Sequence, residues 1–117
     1  MVDLPTISVI LPTRDRPEYL LAAVGSVLAQ RVLPTELLVV DDGSGEDALE
    51  ALGPLSKDSK VPSRVLAGPG RGPAAARNVG LREAAGELVA FLDDDDLWLP
   101  QKLEWQLGWL AERPKLG

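Results

Sequence analysis

The sequence predicts an α/β domain built on a mostly parallel sheet flanked by helices, and three observations point there. Four short apolar runs, "ISVILP", "ELLVV", "RVLAG" and "ELVAFL", are continuous rather than alternating, as strands covered on both faces are. Stretches with apolar residues at helical spacing separate them, and strands alternating with helices make parallel sheets with right-handed crossovers. The polar clusters "PTRD", "DDGS", "GPGRG" and "DDDD" each follow the carboxyl end of one of these strands, where ligands of open parallel sheets bind.

The elements follow in order. "ISVILP" (Ile7 to Pro12) is a β-branched run ending at a proline, a strand buried on both faces. Asp15 with Glu18 three residues on, and Pro17 between them, has the spacing of a capping box. A helix is predicted from about Arg16 to Gln30, burying Leu20, Val24, Val27 and Leu28. "ELLVVDDGS" (Glu36 to Ser44) is a second strand ending in acids and a glycine, and Ser44 with Asp47 suits the cap of a short helix through "EDALEAL". "GPLSKDSKVPS" reads as a surface loop. "RVLAG" (Arg64 to Gly68) is a third strand, followed by a glycine-rich turn and the helix "AAARNVGLREAAG", with Gly86 where a C-terminal cap belongs. "ELVAFL" (Glu87 to Leu92) is the fourth strand and delivers four consecutive aspartates. Pro100 then opens a helix with Leu99, Leu103, Leu107 and Leu110 on one face and Pro114 as its stop.

The bulk properties narrow the chemistry. At 117 residues the chain is expected to be a single domain, 1–117, large enough for a core but short for a complete two-substrate enzyme. It has no cysteine, hence no disulfide or thiolate metal site, and no histidine, the commonest metal ligand and general base. Chemistry falls to carboxylates, Arg, Lys, hydroxyls and the backbone. A net charge of −6 argues against a nucleic-acid partner, which needs a basic face. No apolar run approaches the roughly 20 residues of a bilayer span, and the N-terminus has no signal-peptide pattern. The expected location is cytoplasmic, or peripheral at the inner face of the membrane.

Four adjacent carboxylates repel one another unless something positive sits among them. One or two aspartates suffice to cap the following helix. Four favour a hard divalent cation, Mg²⁺ or Mn²⁺, held by oxygen ligands and completed by substrate phosphates. "DDGS" suits hydrogen bonds to a ribose or base edge, although short acidic turns are also common. Arg77, one turn inside its helix, is placed to reach an anionic ligand, or else is simply exposed. "GPGRGP" is neither a Walker loop, lacking Gly-Lys-Ser/Thr, nor a dinucleotide fingerprint. Trp98, Trp105 and Trp109 are packing residues first, but Trp105 and Trp109 widen the leucine stripe enough to expect a partner.

Together, "ISVILPTRDRPEYL", "ELLVVDDGS", "GPAAARNVGLREAAGELVAFLDDDDLWLP" and the helix after them resemble the N-terminal half of the inverting family 2 glycosyltransferases, which have the GT-A fold. The likeness runs from about Ile7 to Gly117, and the order and spacing of the motifs make it specific. It implies a Rossmann-like half-domain with strand order 3-2-1-4, binding a nucleotide-diphosphate sugar, usually a UDP-sugar, with Mn²⁺ or Mg²⁺. By resemblance, Pro12, Thr13 and Asp15 line the nucleotide pocket. Asp41 and Asp42 belong to the donor site, with Asp42 on the base or ribose. Arg77 matches the arginine of the family's "G-x-x-x-A-R-N-x-G". The aspartate run covers the D-x-D element, with Asp93 toward the ribose and Asp95 as metal ligand; the repetition leaves Asp94 a competitor for either role. Family members continue for roughly another chain-length, with an acceptor site and a later acidic general base. No residue here matches that base, so catalytic residues are expected beyond Gly117. The chain alone is expected to bind donor and to transfer sugar poorly or not at all to its acceptor, be it glycan, lipid or protein. Uncovered sheet edge and apolar helix surface favour self-association. Two other readings stay open: a non-catalytic interaction module, and a Mg²⁺-dependent nucleotidyltransferase.

Overall fold

The computed structural model describes residues 5–43, 48, 50, 52–53 and 59–112. The elements, in order, are β1 (Ile7–Thr13), α1 (Pro17–Leu28), β2 (Glu36–Asp41), β3 (Ser63–Ala67), α2 (Pro73–Glu83), β4 (Leu88–Phe91) and α3 (Lys102–Glu112). The four strands form one parallel sheet in the order β3-β2-β1-β4, as expected. The first strand therefore lies inside the sheet, with Val9 beside Leu37 on one neighbour and Ala90 on the other. The expected Ser44/Asp47 cap, residues 54–58 of the expected surface loop and Pro114 lie outside the described residues.

Side chains alternate across the sheet and divide the core in two. Val9, Leu11, Leu37 and Val39 face α1 and α3, packing with Leu20, Val24, Val27, Leu103 and Leu107, while Leu28 is only half-buried against them. Ile10, Leu38 and Val40 face α2 and pack on Ala76. The second layer is thin because α2 is built of small residues. Its Gly80 comes so near β1 that a Cβ there would stand 2.5 Å from Ile10 Cγ2.

Local chemistry departs from expectation at three points. Helix α1 is preceded by Arg16, not by a capping Asp15, and no side chain caps it. Asp15 instead adopts a left-handed backbone (φ 52°), which Asp tolerates better than most residues. Its carboxylate lies beside Gly43, where an added Cβ would stand 2.5 Å from Asp15 Oδ1. Gly86 does not cap α2, which ends at Glu83 with Ala84 already extended. Its place is explained by β1: a Cβ on Gly86 would lie 2.6 Å from the Ser8 backbone nitrogen. The third point is the leucine stripe. Leu103 and Leu107 are buried, whereas Leu99, before the helix, is 63% exposed, and Trp105 and Trp109 are 60% and 50% exposed. None of the described helices is long and apolar enough to cross a membrane.

At the amino ends of the strands, opposite the polar clusters, Glu36 ties the layers together. Its Oε2 accepts the Ser8 hydroxyl at 2.6 Å and the Ala85 N–H at 2.7 Å, with Arg64 Nη2 4.0 Å from Oε1. Burial alone would raise the Glu36 carboxyl, but the Ala85 N–H, the Ser8 hydroxyl and the Arg64 charge favour the ionised form and hold it below its ordinary value of 4.5. A carboxyl depressed in the folded state contributes stability above its unfolded pKa and loses it as pH falls through the folded one. Urea midpoints should accordingly drop as pH is lowered through and below 4.5. In Glu36→Gln that acid limb should be flatter, and an equally steep limb would place the acid sensitivity elsewhere.

Candidate functional site

The carboxyl ends of the strands meet around an open cleft of about 410 Å³. Pro12 and Thr13 come from the end of β1, Asp42 from just past β2, and Arg77 from the first turns of α2. Asp93, Asp94 and Asp95 come from the segment after β4, and Arg14, Arg16, Gly72, Pro73 and Ala76 complete the wall. The adjacency follows from topology: because β1 pairs with β4, the loops after both strands leave the sheet side by side.

The aspartates are not equivalent. Asp93 Oδ1 accepts a hydrogen bond from Arg77 Nη2 at 2.8 Å. Asp94 is turned inward, its Oδ2 accepting the Thr13 hydroxyl at 2.9 Å, with Arg16 Nη1 3.6 Å from its other oxygen. Asp95 is exposed and lies 4.0 Å from Arg16 Nη1. Asp93, Asp95 and Asp96 each offer an oxygen, and these oxygens lie within 4.8 Å of one another. Three carboxylates so placed fit a hard divalent cation, whose preferred ligands are oxygens.

Asp42 is buried, and its carboxylate receives two backbone N–H groups of the glycine-rich loop, Gly70 at 2.6 Å and Gly72 at 2.9 Å. Asp41 and Asp15 lie outside the cleft lining. The period of two along β2 sends Asp41 to the face opposite Asp42, where its Oδ1 accepts the Gly43 N–H at 2.9 Å. Asp15 Oδ2 is 3.9 Å from Arg14 Nε. Of the residues expected at the site, the structure thus brings Pro12, Thr13, Asp42, Arg77, Asp93, Asp94 and Asp95 together and leaves Asp15 and Asp41 apart.

Sequence reasoning missed Arg14 and Arg16, the cations that the segment after β1 brings to the cleft; it read all four aspartates as favouring a cation but gave Asp96 no role of its own. The signal for the arginines was available, since four adjacent carboxylates demand counter-charge and "TRDR" supplies two cations at a neighbouring strand end.

The family model for glycosyl transferase family 2 matches residues 8–116. The chain belongs to that family. Among its relatives, an uncharacterized glycosyltransferase of Rickettsia felis is 41% identical over 106 residues, a match covering 91% of this chain and 17% of that protein. Among solved structures, the mannosyltransferase PcManGT from Pyrobaculum calidifontis, in complex with GDP-Man and Mn²⁺, superposes with a TM-score of 0.82 at 28% identity. That match covers 94% of this chain and 33% of PcManGT. S. aureus TarS 1-349 in complex with UDP-GlcNAc superposes with a TM-score of 0.78 at 30% identity, covering 92% of this chain and 31% of that one. The chain therefore spans a third or less of the length of these proteins, and its sheet is the GT-A half-sheet that the strand order implied.

Proposed function

We propose that the chain is the donor-binding half of a metal-dependent inverting glycosyltransferase whose substrate is a nucleotide-diphosphate sugar, a UDP-sugar in the first instance. The observation that carries this reading is the cleft lined by Asp93 and Asp95, whose oxygens converge with one of the adjoining Asp96, with Arg77 and Arg16 beside them. TarS with UDP-GlcNAc and PcManGT with GDP-Man and Mn²⁺ support the ligand class.

Asp93, Asp95 and Asp96 would hold the cation, with Asp95 its principal ligand. Bound there, Mn²⁺ or Mg²⁺ supplies positive charge that favours the nucleoside diphosphate as leaving group. Arg77 donates to the diphosphate from one side, and Arg14 and Arg16 add positive charge from the other. Thr13 keeps Asp94 turned inward and so holds the loops after β1 and β4 at a fixed separation. Pro12 and Asp42 border the nucleoside end of the cleft.

Calorimetric titration of UDP into the chain, with Mn²⁺ and then with EDTA, tests the reading. Metal-dependent binding is expected. Absence of binding under both conditions would overturn the UDP assignment, and preference for UTP over UDP-sugars would support nucleotidyl transfer instead.

A further inference from the structure

Asp42 sits at the start of a chain of contacts that crosses the cleft. It is 5% exposed, and both carboxylate oxygens are engaged by the loop between β3 and α2, Oδ1 by the Gly70 N–H and Oδ2 by the Gly72 N–H. That loop is shaped to reach it. Gly70 and Gly72 have φ of 72° and 100°, which side chains rarely adopt, and a Cβ on Gly68 would fall on Asp42 Oδ1.

Gly72 is also the residue from which α2 starts, and no side chain caps that helix. The Gly72 carbonyl accepts the Ala76 N–H at 3.1 Å, closing the first turn. The next residue is Arg77, whose guanidinium reaches Asp93. A glycine-rich loop has many conformations to lose, so something must select one of them before the helix can begin at a fixed place. The Asp42 carboxylate holds two of that loop's amides.

We propose that Asp42 is a positioning residue for Arg77: by holding the Gly70 and Gly72 amides it sets where α2 begins and hence where the Arg77 guanidinium stands in the cleft. The consequence for donor affinity rests on the donor-binding reading above, but the positioning itself does not.

The test uses Asp42→Asn in the full chain. Asparagine keeps one acceptor oxygen and puts an NH₂ against the second N–H. Without ligand, NMR hydrogen exchange at Gly70 and Gly72 should quicken about tenfold, and the Arg77 Nε–H resonance should move toward its position in Asp93→Asn. Gly72→Ala, which strains the helix start and leaves Asp42 in place, should move that resonance the same way. Unchanged exchange, or an Arg77 resonance unmoved in either variant, would overturn the proposal.

With UDP and Mn²⁺, Asp42→Asn should bind about tenfold more weakly. The double variant Asp42→Asn/Arg77→Ala should lose clearly less affinity than the product of the two single losses, because coupled residues are not additive. Losses that multiply would mean that Asp42 meets the nucleotide independently and would overturn the coupling. If the wild-type chain binds no UDP, the donor reading fails while the ligand-free measurements still decide the positioning role.

Discussion

Asp95→Ala is expected to weaken metal-dependent UDP binding by at least about a hundredfold, the upper end of what loss of even an outer-shell partner costs a metal site. The reason lies in how the three aspartates that line the cleft are occupied. Asp93 is bonded to Arg77 and Asp94 to Thr13, whereas Asp95 has only the 4.0 Å approach of Arg16 among the described residues. Asp95 can turn to a cation without breaking a hydrogen bond. For the same reason the substitution should leave the thermal midpoint unchanged or slightly raised, since it removes one like charge from a crowded loop. Titration of Mn²⁺ and then UDP into the variant reads the first effect and a melting curve the second. Wild-type affinity in Asp95→Ala would remove this residue from the metal site.

Gly86→Ala is expected to destabilise the fold by about 3 kcal/mol, the upper range for overpacking a close contact. The added Cβ would stand 2.6 Å from the Ser8 nitrogen, 2.7 Å from Ser8 Oγ and 2.9 Å from the Ile7 carbonyl carbon. Two of these atoms are backbone of a strand paired on both sides, so they cannot move aside as a flexible side chain would. The shift would also disturb the 2.8 Å bond from the Gly86 N–H to Ser8 Oγ and the Glu36 contacts behind it. In a domain of this size the melting temperature should fall by about 15 °C. Gly25→Ala is the control: nothing lies within 4 Å of a Cβ there, and alanine favours a helix interior. If both substitutions cost the same, close approach is not why residue 86 is glycine.

The parallel sheet, its helices and the gathering of polar clusters were legible because they follow from periodicity and from the carboxyl ends of strands. The fate of individual carboxylates was less so. Asp41 and Asp42 are adjacent in sequence, but a strand sends neighbours to opposite faces, and which face holds the cleft depends on where α2 packs. Asp94 was indistinguishable from its neighbours until pairing of β1 with β4 brought Thr13 within reach. Asp15 looked like a helix cap because its spacing to Glu18 is right, and only its left-handed backbone removes it. Gly86 had the spacing of a cap for a similar reason, while its cause is a tertiary approach that no local pattern records.

The interior position of β1 sets a timetable for biosynthesis. Ile7 pairs with Leu88, and Thr13 reaches Asp94 across 81 residues. At the 5–20 residues per second of translation, roughly 4–16 s separate emergence of the two strands. Through that interval the nascent chain carries an apolar strand with at least one edge unsatisfied, the kind of edge to which other chains adhere. The interval of greatest exposure to aggregation therefore closes only when the residues that complete the cleft leave the ribosome.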